Sequence, residues 1–249
     1  GGKPVFAEVD INSGNITPKS IKPLINDSTK AISVVHLGGW PADMESICKL
    51  AKEHNLYVIE DCSQAHGASI NGKKVGSFGD ISTWSFCQDK IISTGGEGGM
   101  VTTNNKTLFK FICSLKDHGK NFQLLNQTNS ENNYEFKWLH ENVGTNYRLT
   151  EIQSVIGRIQ LRNLDKNNFI RSRNAKILIK HLKDISFVRI PTPKDTYNHA
   201  WYKFYLYIEE NGYFSRNQAL IQINKNGATA LSGSCSEIYL EKCFDSAGL

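Results

Sequence analysis

The 249-residue chain has no apolar run approaching the roughly 18 residues that a membrane-crossing helix requires. Its first residues, Gly1-Gly2-Lys3-Pro4-Val5-Phe6, lack the apolar core of a signal peptide. No Cys-x-x-Cys pair occurs among its six cysteines, at 48, 62, 87, 113, 235 and 243. That scatter suits neither a disulfide framework nor a zinc site, so the expectation is reduced thiols, no bound metal and a cytoplasmic location. A large excess of one charge is also missing. The net charge of +5 fits a slightly basic surface and tolerates an anionic small substrate, and neither nucleic acid nor membrane is expected as a partner. With 39% hydrophobic and 21% charged residues, the composition is that of an ordered globular protein. The length fits one large α/β domain or two modest ones.

What is present is an alternation of strand-like and helix-like segments. Ala31-Ile32-Ser33-Val34-Val35-His36-Leu37 is a β-branched run that stops at Gly38-Gly39, as a buried strand does. Asp43 can cap a helix in which Met44, Ile47, Cys48 and Ala51 recur at helical spacing. Leu56-Tyr57-Val58-Ile59 is apolar without alternation, which predicts a strand covered on both faces. Asp80 to Phe86 and Gly99 to Thr103 read as two more strands. Leu108, Phe111, Ile112 and Leu115 mark a helix between Thr107 and His118. Such an order predicts a mostly parallel sheet flanked by helices. Ligands of such sheets bind beyond the carboxyl ends of the strands, so the residues after each apolar run matter most.

The character changes after about residue 120. Residues 121–142 are polar and Asn-rich and read as a loop. Thr150-Glu151-Ile152-Gln153 then fits a capping box. Ile152, Val155, Ile156 and Ile159, and later Ala175, Leu178, Ile179 and Leu182, keep helical spacing, with a break expected near 165–168. An aromatic strand from Tyr202 to Ile208 and a helix from Ser215 to Asn226, closed by Gly227, are expected to follow. The organisation this implies is a large domain over residues 1–160 and a smaller α+β domain over 161–249, joined by the long helix.

Residues able to do chemistry concentrate between Asp61 and Gly99. Asp61 ends the run Tyr57-Val58-Ile59-Glu60, and Gln64 follows in Cys62-Ser63-Gln64-Ala65-His66-Gly67. The run Ser82-Thr83-Trp84-Ser85-Phe86 leads into Cys87-Gln88-Asp89-Lys90, and then Ser93-Thr94-Gly95-Gly96-Glu97-Gly98-Gly99. Alone, a carboxylate at a strand end is a helix cap, a single lysine is solvated surface, and the glycines make a tight turn. The glycines match neither G-x-G-x-x-G nor the phosphate loop ending in Gly-Lys-Ser/Thr.

In this order, however, the segments resemble the DegT/DnrJ/EryC1/StrS aminotransferases, which act on nucleotide-linked keto sugars. The likeness is carried by Lys3-Pro4-Val5-Phe6, Val35-His36-Leu37-Gly38-Gly39, Pro41-Ala42-Asp43-Met44 and Glu60 to Ala68. It continues through Gly76-Ser77-Phe78-Gly79-Asp80, Ser85-Phe86 to Gly99, and Asn146-Tyr147-Arg148-Leu149-Thr150-Glu151. The resemblance implies the aspartate-aminotransferase type I fold and pyridoxal 5′-phosphate (PLP) as cofactor. It implies that Lys90 carries PLP as a Schiff base and is the catalytic residue, because proton movement at the substrate carbon needs that amine. Asp61 is implied as the anion at the pyridine nitrogen, Gln64 as a contact of the ring or its phenolic oxygen, and Ser85 as a hydroxyl donor to the phosphate. By the same resemblance Asn146 reaches the phosphate of a neighbouring subunit, which implies a homodimer with shared active sites. Read without the family, Asn146 is a turn residue before a capped helix.

The expected reaction moves an amino group from glutamate or glutamine to a nucleotide-linked keto sugar, for cell-surface polysaccharide or amino-sugar synthesis. Two other readings stand beside it: a PLP sugar dehydratase, whose family members replace the lysine with histidine, and a non-catalytic protein of the same fold. Position 90 is lysine, and Asp61, Gln64 and Ser85 are all in place. The sequence departs from the family pattern in two ways. The chain is shorter than family members, and it is expected to be a fragment beginning and ending inside the pattern. Cys87-Gln88-Asp89 stands where His-Pro-Thr is more usual, and with Ser232 to Tyr239 it reads as a subgroup signature.

Overall fold

A computed structural model describes residues 2–125, 139–209, 215–233 and 237–247. Much of the Asn-rich loop, and Ser234, Cys235 and Ser236 of the subgroup segment, lie outside the described residues. The chain divides into two compact units. One holds the residues up to Ser172 together with Pro193–Tyr202, and the other holds Arg173–Thr192 and the residues from Lys203 onward.

In the first unit a four-stranded sheet is formed, in spatial order, by β1 (Ala31–Val35), β2 (Tyr57–Asp61), β5 (Ile81–Ser85) and β6 (Gly99–Thr102). The first three run parallel, and β6 runs antiparallel to β5. A short helix α1 (Pro18–Ile21) precedes the sheet, and α2 (Met44–Glu53) connects β1 to β2. Asp43 caps α2 by accepting the Ser46 N–H at 3.2 Å, as its position predicts. Ile32 and Val34 of β1, Val58 of β2, and Met44, Ile47, Leu50 and Ala51 of α2 share one apolar core. The valine, leucine, isoleucine and methionine side chains among them each contribute about 1.5–3 kcal/mol by leaving water.

β2 differs from its expectation. Val58 and Glu60 are buried, but Tyr57 is 59% exposed, so the strand is covered on one face. Hydrophobic content without alternation did not mean two buried faces, because Tyr57 keeps its ring on the open side.

A small antiparallel sheet in the same unit has the order β4-β3-β8, from β3 (Ser69–Ile70), β4 (Lys73–Lys74) and β8 (Tyr197–Asn198). The pairing of β3 with β8 draws residues 193–202 back onto this unit. Helix α3 (Lys106–Lys116) is followed by the short α4 (Phe122–Leu125). Helix α5 (Glu151–Arg162) carries the expected capping box, Thr150 with Gln153, and the helical run breaks at Asn163 before α6 (Leu164–Leu182).

In the second unit β7 (Val188–Arg189) pairs antiparallel with β9 (Tyr207–Ile208), and α7 (Arg216–Lys225) follows its cap Ser215. Gly227, one residue beyond the C-cap Asn226, adopts φ +86°, a left-handed turn that glycine enters freely. The strand expected from Tyr202 to Ile208 is reduced to Tyr207–Ile208. Trp201 has φ +49°, which interrupts extended backbone, and Tyr202 is buried in the first unit's core.

Candidate active site

Parallel pairing puts the carboxyl ends of β1, β2 and β5 on one edge of the sheet. The register sets Val35 beside Asp61 and Asp61 beside Thr83, two residues before Ser85. The segments that leave this edge are therefore His36–Gly39, Cys62–Gly67 and Phe86–Ile92. The last two pack together, because Cys62, Ala65 and Ala68 share an apolar cluster with Ile91, Ala200 and Tyr202.

Of the five residues singled out in the sequence, Gln64 and Lys90 lie on these segments, and Asp61 and Ser85 are the last residues of β2 and β5, from which two of them leave. Asp61 is half-buried, and its Oδ1 accepts the Ser63 N–H at 2.9 Å. Its Oδ2 takes no hydrogen bond from the described residues. Gln64 Oε1 accepts the Gly38 N–H at 2.7 Å, which ties the end of β1 to the end of β2. Gly39 completes that junction at φ +98°. A Cβ there would sit 3.0 Å from the Gln64 carbonyl and 3.1 Å from the Trp201 nitrogen. Only glycine meets both demands without strain. Ser85 Oγ accepts the Cys87 N–H at 3.4 Å. Lys90 Nζ, on a side chain 15% exposed, lies 3.7 Å from Asp89 Oδ1 and 3.3 Å from the Tyr202 hydroxyl.

Asn146 is elsewhere. It is exposed, forms an isolated bridge with Asp117, and its Oδ1 accepts from Arg148 Nε at 3.1 Å. Nothing among the described residues joins it to the cluster around Lys90.

The structure also brings in residues that the sequence reading passed over. Glu60 is fully buried, and its carboxylate accepts the N–H groups of Gly76 at 2.7 Å, Phe78 at 2.8 Å and Gly79 at 2.6 Å. His36 Nδ1 accepts the Ala42 N–H at 3.0 Å, so Nε2 carries the hydrogen donated to Glu60 Oε2 at 3.2 Å. Burial alone would raise the Glu60 carboxyl, but the His36 hydrogen bond and the Gly79 and Gly76 amides outweigh it and hold the carboxyl below its ordinary value. His36, Glu60 and Cys62 bring their donor atoms within 4.8 Å of one another. Those of His36 and Glu60 are already committed to hydrogen bonds, and burial beside Glu60 and Asp61 pushes the Cys62 thiol up, away from the thiolate a metal needs. The cluster is a clamp that fixes the strand end on which Asp61 stands. The signal for it was a glutamate inside an apolar strand run.

His66 is almost fully buried against the rings of Trp84 and Phe86, and neither ring nitrogen has a hydrogen-bond partner among the described residues. Burial pushes it down to about 4, the nearby Ser85 backbone opposes that, and the Lys90 charge adds to it. The His66 imidazole is therefore neutral near pH 7. Tyr202 contacts Lys90 from 112 residues away in sequence, a pairing no local pattern could announce.

A mostly parallel sheet flanked by helices, with an amine, a carboxylate, an amide and a hydroxyl at its carboxyl edge, defines an α/β scaffold. Comparison with known proteins refines that class. The model of the DegT/DnrJ/EryC1/StrS aminotransferase family matches residues 1–237, and the chain belongs to this family. It is 42% identical over 216 residues to dTDP-3-amino-3,6-dideoxy-alpha-D-galactopyranose transaminase of Aneurinibacillus thermoaerophilus, covering 86% of this chain and 55% of that protein. The structure of an aminotransferase from Psychrobacter cryohalolentis superposes with a TM-score of 0.93 at 46% identity, covering 100% of this chain and 65% of that one. That of E. coli GDP-4-keto-6-deoxy-D-mannose-3-dehydratase with bound hydrated PLP superposes at 0.78 with 28% identity, covering 89% and 58%. The neighbours share the PLP-dependent type I fold. The chain spans about half the length of the curated relatives it matches.

Proposed function

We propose that this protein works as a PLP-dependent aminotransferase that passes the amino group of glutamate or glutamine to a nucleotide-linked keto sugar, serving cell-surface polysaccharide or amino-sugar synthesis. The observation that carries the reading is the Lys90 amine, largely withdrawn from solvent at the carboxyl edge of the sheet that also bears Asp61, Gln64 and Ser85. The donor set fits PLP: an amine for its aldehyde, a carboxylate oxygen without a partner among the described residues for its ring nitrogen, and a hydroxyl for its phosphate. When bound, PLP supplies an electron sink for the carbon that loses its proton.

The chain's own residues do the rest. Lys90 Nζ would hold the cofactor covalently and, once released, carry the proton taken from the amino acid's α-carbon. Asp61 Oδ2 would accept a hydrogen bond from the protonated ring nitrogen, while Oδ1 stays anchored on the Ser63 N–H. Ser85 Oγ would donate to the phosphate, and the amide nitrogen of Gln64 would reach the ring or its phenolic oxygen. The Glu60 clamp keeps the end of β2 fixed while this happens. The same reading includes a large domain over 1–160, a small one over 161–249, a cytoplasmic location and a homodimer in which Asn146 serves the partner's site.

With PLP added, the protein should gain a visible absorption band that Lys90→Ala lacks; a band persisting in that variant removes Lys90 from its role. Asp61→Asn keeps the Ser63 contact but loses the charge. If losing one partner of a buried pair costs about 3–5 kcal/mol, felt in the transition state, single-turnover transamination should slow roughly 10²–10⁴-fold. Near-normal turnover would reduce Asp61 to a turn cap.

A further inference from the structure

We propose that Tyr202, held by Asp89, is a positioning residue for the Lys90 amine; this deepens the reading of Lys90 above and rests on it. Tyr202 is 7% exposed, with its ring packed among Cys62, Ala65, Ala68, Ile91 and Ala200. Its hydroxyl donates to Asp89 Oδ2. A phenol has one proton, so with that proton directed at Asp89 the oxygen faces Lys90 as an acceptor. Lys90 Nζ donates to it at 3.3 Å and lies 4.8 Å from the centre of the same ring. Asp89 Oδ1, 3.7 Å away, adds a carboxylate on another side. Hydroxyl, ring face and carboxylate together restrict an otherwise flexible four-carbon stem.

Asp89 is itself fixed, since Cys87 Sγ donates to its Oδ1 at 2.9 Å. The Cys87-Gln88-Asp89 segment is thus more than a spacer before the lysine. Tyr202 is aimed by the backbone around it. Ala200 N–H donates to the Gly39 carbonyl at 2.9 Å, Trp201 N–H to His199 Nδ1 at 2.8 Å, and Arg171 Nη1 to the Trp201 carbonyl at 3.3 Å. These contacts hold Trp201 at φ +49°, a left-handed conformation uncommon for a bulky residue. Released, this turn would no longer direct Tyr202 at Lys90.

The test reads the amine itself, without cofactor. The protein is treated with a trace of acetic anhydride at fixed pH, and acetylation of Lys90 is compared with that of exposed Lys52 by mass spectrometry. Tyr202→Phe keeps the ring and removes the hydroxyl. It should raise Lys90 acetylation about threefold or more with Lys52 unchanged, since a freed amine attacks faster. Asp89→Asn, on a half-exposed side chain that folding does not need buried, should shift Lys90 the same way. The double variant should fall short of the sum of the two single effects, because both act through one chain of contacts. Unchanged or slower Lys90 labelling in both variants overturns the proposal. So does a rise spread equally over Lys52 and other lysines, which reports general loosening. Lys90→Ala with added PLP separates the two levels. A persisting band defeats the Lys90 reading, whereas a lost band with unaltered labelling defeats the Tyr202 inference alone.

Discussion

Two glutamates, one in each unit, sit against a nitrogen base in opposite surroundings. Glu209 meets Arg189 Nε at 2.6 Å, with the two side chains 54% and 32% exposed. Glu60 meets His36 Nε2 at a longer 3.2 Å, with both side chains fully buried. Distance alone would rank the first contact as the stronger. Solvation reverses that order, because water competes for the Glu209 carboxylate and has no access to Glu60. An exposed pair contributes about 0–1 kcal/mol, whereas removing one partner of a buried charged cluster costs several. The site belongs to the second kind of region. Asp61 follows Glu60 directly, so its strand end rests on a network that is costly to disturb.

The largest expected effect sharpens this contrast. Glu60→Gln keeps the shape but turns an NH₂ group toward amides that are themselves donors. It should destabilise the protein by roughly 3–5 kcal/mol in urea unfolding. A pH signature accompanies it. The Glu60 carboxyl titrates below its ordinary 4.5 in the folded protein, so its contribution is complete above 4.5 and is lost as pH falls through the depressed folded value. Acid unfolding of Glu60→Gln should lack that component. A loss under about 1 kcal/mol would break the comparison.

A somewhat smaller effect belongs to His66. Burial lowers it from 6.5 to about 4, so the folded protein resists a proton that the unfolded chain accepts. Stability from the neutral ring is therefore full above 6.5 and falls as pH drops from there toward 4. The total is about 3 kcal/mol, at 1.36 kcal/mol per pH unit. His199, lowered to about 3 by burial, adds to the same acid slope. His66→Phe removes both ring nitrogens, and it should flatten the melting-temperature profile between pH 6.5 and 4. An unchanged slope would show that the ring is hydrated in solution.

How much of this was legible in the sequence follows from the range of each interaction. Asp61, Gln64, Ser85 and Lys90 stand on one stretch of chain, so strand periodicity alone directs attention to the residues after β2 and β5. The Asp43 and Thr150 caps were readable because a cap acts over three residues. Tyr202 was read as the start of a strand, since aromatic content cannot reveal that Trp201 turns the backbone or that the ring packs on Ile91. Strand direction was equally hidden: the Gly99–Thr102 run looks the same whether it pairs parallel or, as it does, antiparallel to β5. Glu60 was passed over as one polar residue in an apolar run. Its partners at 76, 78 and 79 come from a turn whose geometry depends on glycine. A Cβ at Gly79 would lie 2.7 Å from the Val58 carbonyl.

The smallest expected effect tests the other side of the comparison. In Glu209→Gln the Arg189 guanidinium keeps a neutral acceptor within reach and still stacks over the Tyr207 ring, 4.3 Å from its centre. What is lost is the charge of an exposed carboxylate, which water already screens. Amide exchange across the paired strands β7 and β9 should therefore report less than about 1 kcal/mol of local destabilisation. That small difference should vanish in 1 M salt, where the screening length falls to about 3 Å. Arg189→Ala should cost more than Glu209→Gln at either salt concentration, because it also removes the stem and the ring contact. If Glu209→Gln instead matched the loss from Glu60→Gln and persisted in salt, short contact distance would outrank burial. The clamp beneath Asp61 would then have no special claim on the stability of the site.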